Sequence, residues 1–335
     1  MPIKAARDAL NEAMFHEFAR DPNVFAIGED IAGGRGGSGE EIGCVGGIFG
    51  VTKGLVAEFG EERVIDTPIS ESAIVGAASG AALAGMRPVA EIMFADFFGV
   101  CLDQVMNQVA KFRYMFGGES KCPLVIRCNT GAGYSAAAQH SQTVYQMMTA
   151  IPGLKVVIPS NAYDAKGLLI SAIRDDDPVL FFEHKLLYQS ECEVPDEAYT
   201  IPFGEAAMPR EGEHCTVVAF GQMVNVAAKA IDALEEQGIS CDLIDPRTTS
   251  PLDEETILES VEATGRLVVV DESPPRCGLT ADIAGMVADK GFSSLKAPIK
   301  QVTAPHSPVP FAAELEAAYI PNADDVTKAI QETLV

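Results

Sequence analysis

Four places in this chain put reactive side chains directly after an apolar run that reads as a β-strand. After "VFAIG" come Glu29 and Asp30; after "RVID" the turn "TPISE" brings Glu71; "EIMF" leads into Asp96 and Phe97. The run "PLVIR" is followed by "CNTGAGYSAAAQHSQ", which holds His140. Ligands of open α/β sheets gather outside the carboxyl ends of the strands, so this order predicts two carboxylates, an aromatic ring and a histidine on one rim. Such a set can take up and release protons near neutral pH.

Each residue also has a plainer reading. Glu71 stands in the first turn of a predicted helix, where the macrodipole favours a carboxylate whether or not it does chemistry. The small residues around His140 let a backbone approach a ligand, but a loop histidine can equally be satisfied by neighbouring backbone groups. Behind Glu71, "SAIVGAASGAALAG" is built almost wholly from small and branched residues, which allows another helix or a ligand to come close.

The elements that must position these residues follow from periodicity. Helices are predicted over 4–20, 50–59, 72–86, 101–115, 142–150 and 162–174, and strands over 24–28, 63–66, 87–94, 123–127, 155–159 and 179–183. Continuous apolar strands between helices predict an α/β fold whose parallel sheet is covered on both faces. An aperiodic stretch from 185 to 207 contains Pro, Gly and acidic residues, so the first domain is placed at 1–190, a linker at 191–207 and a second domain at 208–335. The second is again α/β, with strands at 215–221, 241–246, 266–272 and 299–304 and helices near 223–237, 253–263 and 279–290.

Composition bounds the function. At 335 residues the chain can bury two cores, and 47% apolar residues mark it as globular. Forty-eight acidic against 24 basic residues give a net charge of −24, which repels nucleic acid and anionic membranes. The eight cysteines show no metal-finger spacing and read as buried thiols of a reducing compartment. The charged, amphipathic start "MPIKAARDALNEAMFHEF" lacks the apolar core of a signal peptide, and no apolar run reaches the roughly 20 residues of a membrane span; a cytoplasmic location is expected. The run "GGRGGSGE" (33–40) is bounded by carboxylates that would repel a phosphate and reads as a flexible loop, while "NTGAGYSA" lacks the third glycine of a dinucleotide fingerprint. A flavin- or nucleotide-binding electron-transfer subunit using the same crevice is the alternative that this missing fingerprint counts against.

The strings "GED", "DTPISE", "AEIMFADF", "DQVMNQVAK", "AAQHSQ", "PGLKVVIPSNAYDAKGLL", "EHKLLY" and "IDPRTTSPLD" occur in that order over essentially the whole length. Together they closely resemble the β subunits of the thiamine-diphosphate-dependent dehydrogenase component of 2-oxo acid dehydrogenase complexes. The resemblance implies an oxidoreductase subunit with a transketolase-like pyrimidine-binding domain followed by a smaller transketolase C-terminal domain. It implies that Glu71 contacts N1′ of the cofactor's aminopyrimidine, that Met93 and Phe97 border that ring, and that His140 serves acyl transfer to lipoamide. Glu29 matches a glutamate in an acidic path between paired sites.

No G-D-G occurs in this chain, whereas such sites use a G-D-G…N segment to hold Mg²⁺ and the diphosphate. The resemblance therefore implies a separate α subunit that holds the Mg²⁺, an α₂β₂ heterotetramer, a chain inactive alone, and a dihydrolipoyl acyltransferase core as further partner. It also implies a potassium ion at Leu124, Ala172, Asp175 and Asp177. Among substrates, the glycine-rich insertion, "KFRYMFGG" and "TAPHSPVPF" look most like an acetoin-cleaving subunit, with pyruvate second; "AAQHSQ" argues against the branched-chain relatives, which remain an alternative.

Overall fold

The computed structural model describes residues 1–33 and 46–335, so most of the glycine-rich run read as a flexible loop, residues 34–45, lies outside the described residues. Two compact units make up the chain: Met1–Thr130 with Met147–Phe203, and Gly131–Gln146 with Gly204–Val335. The loop carrying His140 thus belongs to the second unit, although the residues before and after it belong to the first.

Up to residue 203 the elements are β1 (Ile3–Ala5), α1 (Ala6–Arg20), β2 (Val24–Glu29), α2 (Leu55–Phe59), β3 (Val64–Thr67), α3 (Glu71–Leu83) and β4 (Arg87–Ile92). They continue with α4 (Phe98–Asp103), α5 (Phe112–Met115), β5 (Val125–Thr130), α6 (Tyr145–Thr149), β6 (Lys155–Val157), α7 (Ala162–Arg174), β7 (Val179–His184) and β8 (Glu191–Glu193). The first unit's central strands run in the order β6–β7–β5–β4–β2–β3, each pair parallel. Their apolar runs dictate this, because a parallel strand with helices over it has no solvent face to fill with polar residues.

α1 and α7 pack on each other, and Leu10, Met14 and Phe18 share one core with Leu168, Ile173 and Phe181. Asn161 caps α7 by accepting the Asp164 N–H at 2.8 Å, which is why that helix begins where its pattern predicts. The buried ammonium of Lys166 reaches Glu12 at 2.8 Å and the Pro195 carbonyl at 2.6 Å, fastening the chain beyond β8 to both helices. α3 buries Ile74, Val75, Ala78 and Ala82 and packs against β4 and α4, leaving Ala73, Ala77 and Gly80 exposed.

Two predicted helices differ. The one expected over 50–59 shrinks to α2, because Gly50 and Gly54 take φ of 80° and 82°, the left-handed region, and end any helix upstream. The one expected over 101–115 is three pieces: Cys101, at φ −109° and ψ 15°, kinks α4, and Gln104–Val109 forms a π-helical stretch before α5.

The second unit adds β9 (Ala207–Arg210), β10 (Cys215–Ala219), α8 (Gln222–Glu235), β11 (Cys241–Asp245), β12 (Thr248–Ser250), α9 (Glu254–Thr264) and β13 (Leu267–Asp271). After these come α10 (Leu279–Lys290), β14 (Lys300–Thr303), α11 (Ala313–Tyr319) and α12 (Ala323–Thr333). Its sheet runs β14–β13–β10–β11–β9, parallel except for the antiparallel edge strand β9. Met223, Ile231 and Leu234 of α8 and Val326 and Ile330 of α12 close its core. The last two helices had no counterpart among the predicted elements.

Candidate active site

β2 and β3 run side by side, with Glu29 opposite Thr67, so their carboxyl ends bring the Glu29 and "TPISE" turns together. Asp30 turns the chain at φ 55°, and Asp66 at the end of β3 accepts the Ala32 N–H at 2.6 Å, which holds that turn. Glu71 opens α3, where no side chain caps the helix, and Ser72 ties this end to α4 by donating to the Val100 carbonyl at 2.8 Å. The Glu71 side chain is buried, 8% exposed, and makes no hydrogen bond or ion pair among the described residues.

Like charges crowd it. Burial raises the Glu29 carboxyl above the ordinary range, and the charges of Asp30 and Glu71 push it the same way. The Cys101 thiol is pushed up to about 12 by burial and then by the charge of Glu71, and so stays protonated and inert. A carboxylate with no donor among the described residues can accept a hydrogen bond from a proton-bearing group placed against it. The aminopyrimidine of thiamine diphosphate, with a ring nitrogen that shares a proton, is a group of that kind.

Met93 follows β4 and receives the Asn129 amide on its sulfur at 3.0 Å; Phe97 ends a short 3₁₀ turn, Ala95–Phe97, leading into α4. Both lie in the first unit with Glu29 and Glu71, whereas His140 lies in the second.

Deeper in the sheet sits a cluster that the sequence reading did not select. Arg127, on β5 and 2% exposed, binds both Glu183 oxygens through Nε and Nη2 at 2.7 Å, and its Nη1 reaches Glu91 at 2.7 Å. Tyr188 donates its hydroxyl to Glu183 at 2.7 Å. Burial pulls the guanidinium down, but the charges of Glu183 and Glu91 outweigh it and hold Arg127 above its ordinary value. Burial raises Glu91 more than Arg127 lowers it, with Glu183 and Glu29 adding to the rise. Gly28 makes room here: a Cβ on it would lie 3.0 Å from that of Glu91. The available signal was a charge closing each of three apolar runs, "RPVAE", "PLVIR" and "VLFFE".

In the second unit, residues 131–146 are held by buried carboxylates. Glu272 accepts the Ala132 N–H at 2.5 Å, Glu316 accepts those of Gly133 and Ser135 at 2.8 Å each, and Asp271 accepts the hydroxyls of Tyr145 and Ser273. These bonds stabilise Ser135 at φ of 51°, which costs on the order of 1–2 kcal/mol for a residue with a Cβ. Burial raises Asp271 to about 6 although the two hydroxyls pull it down. The folded state then binds this proton more tightly than the unfolded chain, so the group's stabilisation is full below about pH 4 and is lost as pH rises through 6, on the order of 3 kcal/mol. Melting curves at pH 4.5 and 7 should show a smaller difference for Asp271→Asn than for the parent; an unchanged difference counts against this origin.

At the residues matched to a potassium site, the acidic side chains already face cations. Lys155 reaches both Asp175 oxygens at 2.7 and 2.6 Å, and Arg113 reaches Asp177 at 2.7 Å. The Leu124 carbonyl accepts the Val179 N–H at 2.9 Å and that of Ala172 the Asp175 N–H at 3.3 Å. Among the described residues no three His, Cys, Asp or Glu side chains group as a metal site, and no helix is long and apolar enough to cross a membrane.

Residues 4–191 match the family described as the transketolase pyrimidine binding domain, and residues 204–326 the transketolase C-terminal domain. The chain is 57% identical to the acetoin:2,6-dichlorophenolindophenol oxidoreductase subunit beta of Cupriavidus necator, over 97% of this chain and 96% of that one. The subunit of the same name from Bacillus subtilis is 54% identical over 98% and 96%. The pyruvate dehydrogenase E1 component subunit beta of Rickettsia felis is 44% identical over 97% of each. A solved structure described as a split gene transketolase in an inactive β4 tetramer superimposes with a TM-score of 0.78 over 98% of each chain; at 23% identity it speaks for the fold alone. Two α/β units in this order, and close identity across nearly the full length, place the chain among the β subunits of the thiamine-diphosphate-dependent dehydrogenases, in the transketolase-like family.

Proposed function

We propose that this chain provides the aminopyrimidine-binding half of a thiamine diphosphate site. An α subunit completes it in an α₂β₂ heterotetramer and contributes the Mg²⁺ and diphosphate ligands; any potassium at Leu124, Ala172, Asp175 and Asp177 would rest on main-chain oxygens. The observation that carries this reading is the buried Glu71 carboxylate without a donor among the described residues. When bound, thiamine diphosphate supplies the nucleophilic carbon that adds to a carbonyl and lets a C–C bond break. Glu71 holds a proton at N1′ of the aminopyrimidine, with the carboxyl of Glu29, itself raised by burial and by the charges of Asp30 and Glu71, beside it. Met93 and Phe97 exclude water from the ring, which strengthens the exchange. His140 moves a proton as the two-carbon unit passes to a lipoyl group of an acyltransferase core.

Acetoin is the proposed substrate, and what supports it is the higher identity to the acetoin-named subunits than to the pyruvate-named one. The complex reconstituted with an α subunit, thiamine diphosphate and Mg²⁺ should turn over acetoin at least ~10-fold faster, in kcat/KM, than pyruvate or branched 2-oxo acids, since a specific pocket discriminates by one to several kcal/mol. Pyruvate as the better substrate would overturn the assignment.

A further inference from the structure

The loop of residues 131–146 turns on a carboxylate for which the reaction itself has no use. Its backbone enters the left-handed region at Gly131, Gly133, Ser135 and Ala137, with φ of 92°, 95°, 51° and 61°. Alternation of this kind turns successive N–H groups to one side and forms a concave nest suited to an anion. Glu316, 2% exposed on α11, occupies it: Oε1 accepts the Gly133 N–H and Oε2 the Ser135 N–H, each at 2.8 Å. Tyr319, one turn further along α11, packs with Ala132, Ala304 and Val309, so the same helix also grips the start of the loop through apolar contact. Beyond the anchor, the next left-handed residue is Ala137, whose carbonyl accepts the His140 N–H at 3.4 Å. The turn that presents the imidazole therefore begins where Glu316 ends.

We propose that Glu316 is a positioning residue for His140: its carboxylate fixes the turn that aims the imidazole during acyl transfer. This rests on the acyl-transfer role read above for His140. Both carboxylate oxygens are needed because each takes a separate N–H. A glutamine side chain offers one oxygen and one NH₂, so one N–H of the nest would face another N–H whichever way the amide is turned. Aspartate keeps both oxygens on a stem one methylene shorter.

Two half-reactions of the reconstituted α–β complex separate this role from general folding. Reduction of the dye 2,6-dichlorophenolindophenol bypasses the lipoyl group, whereas acylation of a lipoylated domain requires the transfer step. Glu316→Gln should leave dye reduction within about two-fold and lower lipoyl acylation roughly 30-fold, with Glu316→Asp recovering most of the loss. In a His140→Ala background, Glu316→Gln should add less than about two-fold, because both changes remove one function. Equal losses in both half-reactions, or losses that add to that of His140→Ala, overturn the proposal. If His140→Ala leaves acylation intact, the reading of His140 fails and this inference with it; if His140→Ala impairs acylation and Glu316→Gln does not, only the anchor fails.

Should the Glu316→Gln complex not assemble, amide exchange in the unaltered complex decides. Gly133 and Ser135 are exposed residues, yet their N–H groups must exchange at least ~100-fold more slowly than unstructured amides. Unprotected rates would overturn the anchor.

Discussion

Glu71→Gln in the reconstituted complex is expected to lower turnover by roughly 10²–10⁴-fold, the usual worth of a positioned proton carrier. The folded chain should be no less stable than before. The two halves of this expectation have one cause. The carboxylate is buried and makes no hydrogen bond or ion pair among the described residues, so replacing it by an amide of the same shape disconnects nothing. It also removes the charge that helps to raise Glu29. A residue kept for stability would behave in the opposite way, with a loss of stability tracking the loss of activity. Undiminished turnover sinks the assigned role.

A second readout comes from Glu29. Its carboxyl is raised by burial first, then by Asp30 and by Glu71. Only the last of these disappears in Glu71→Gln, so the Glu29 titration should move down toward the ordinary range without reaching it. Calorimetric titration of thiamine diphosphate into the same complex distinguishes a site that no longer binds the cofactor from one that binds it but cannot exchange its proton. The proposed mechanism requires that turnover fall by more than affinity does.

What the residue order disclosed, and what it hid, divides along physical lines. Helices α7 and α10 were legible because local features bound them: Asn161 caps the start of the first, and Gly278 and Gly291 flank the second. The parallel sheets were legible because apolar runs such as "RLVVVDE" have no alternation. Glu71 and Glu29 could be paired from their places after successive strands, since neighbouring parallel strands end on one rim. The kink at Cys101 was not legible, because the apolar spacing of Val105 and Val109 continues across it. Nor was Glu316: "FAAELEAAYI" is a short run of small, apolar and acidic residues, and the partners of its second glutamate are backbone N–H groups, which carry no residue-type signature. The placement of the His140 loop within the second unit depends on such contacts, and so could not be read from spacing.

The Arg127 cluster was invisible for a related reason: its carboxylates lie 36 and 56 residues away along the chain, on β4 and β7, and meet it only through strand register. Its energetics lead to the largest stability effect expected in this chain. A buried ion pair gains little over an apolar replacement of equal volume, because desolvating the charges offsets most of their attraction. Removing one member is different, since the others stay buried without compensation. Arg127→Met leaves two glutamates facing each other, both having lost their guanidinium donors, with Tyr188, among the described residues, still donating to one of them. The expected cost is about 3–5 kcal/mol, or a melting temperature lower by roughly 10 °C. Adding Glu91→Gln and Glu183→Gln should recover a large part of it, because the residual charges cause the loss. They also set its pH dependence: Glu91, raised by burial, loses the guanidinium that pulls its carboxyl back down, so the single variant should lose part of its deficit on acidification from pH 8 to 6. A triple variant no better than Arg127→Met, or a single variant whose deficit is the same at both pH values, would assign the loss to packing of the arginine stem instead of to uncompensated charge.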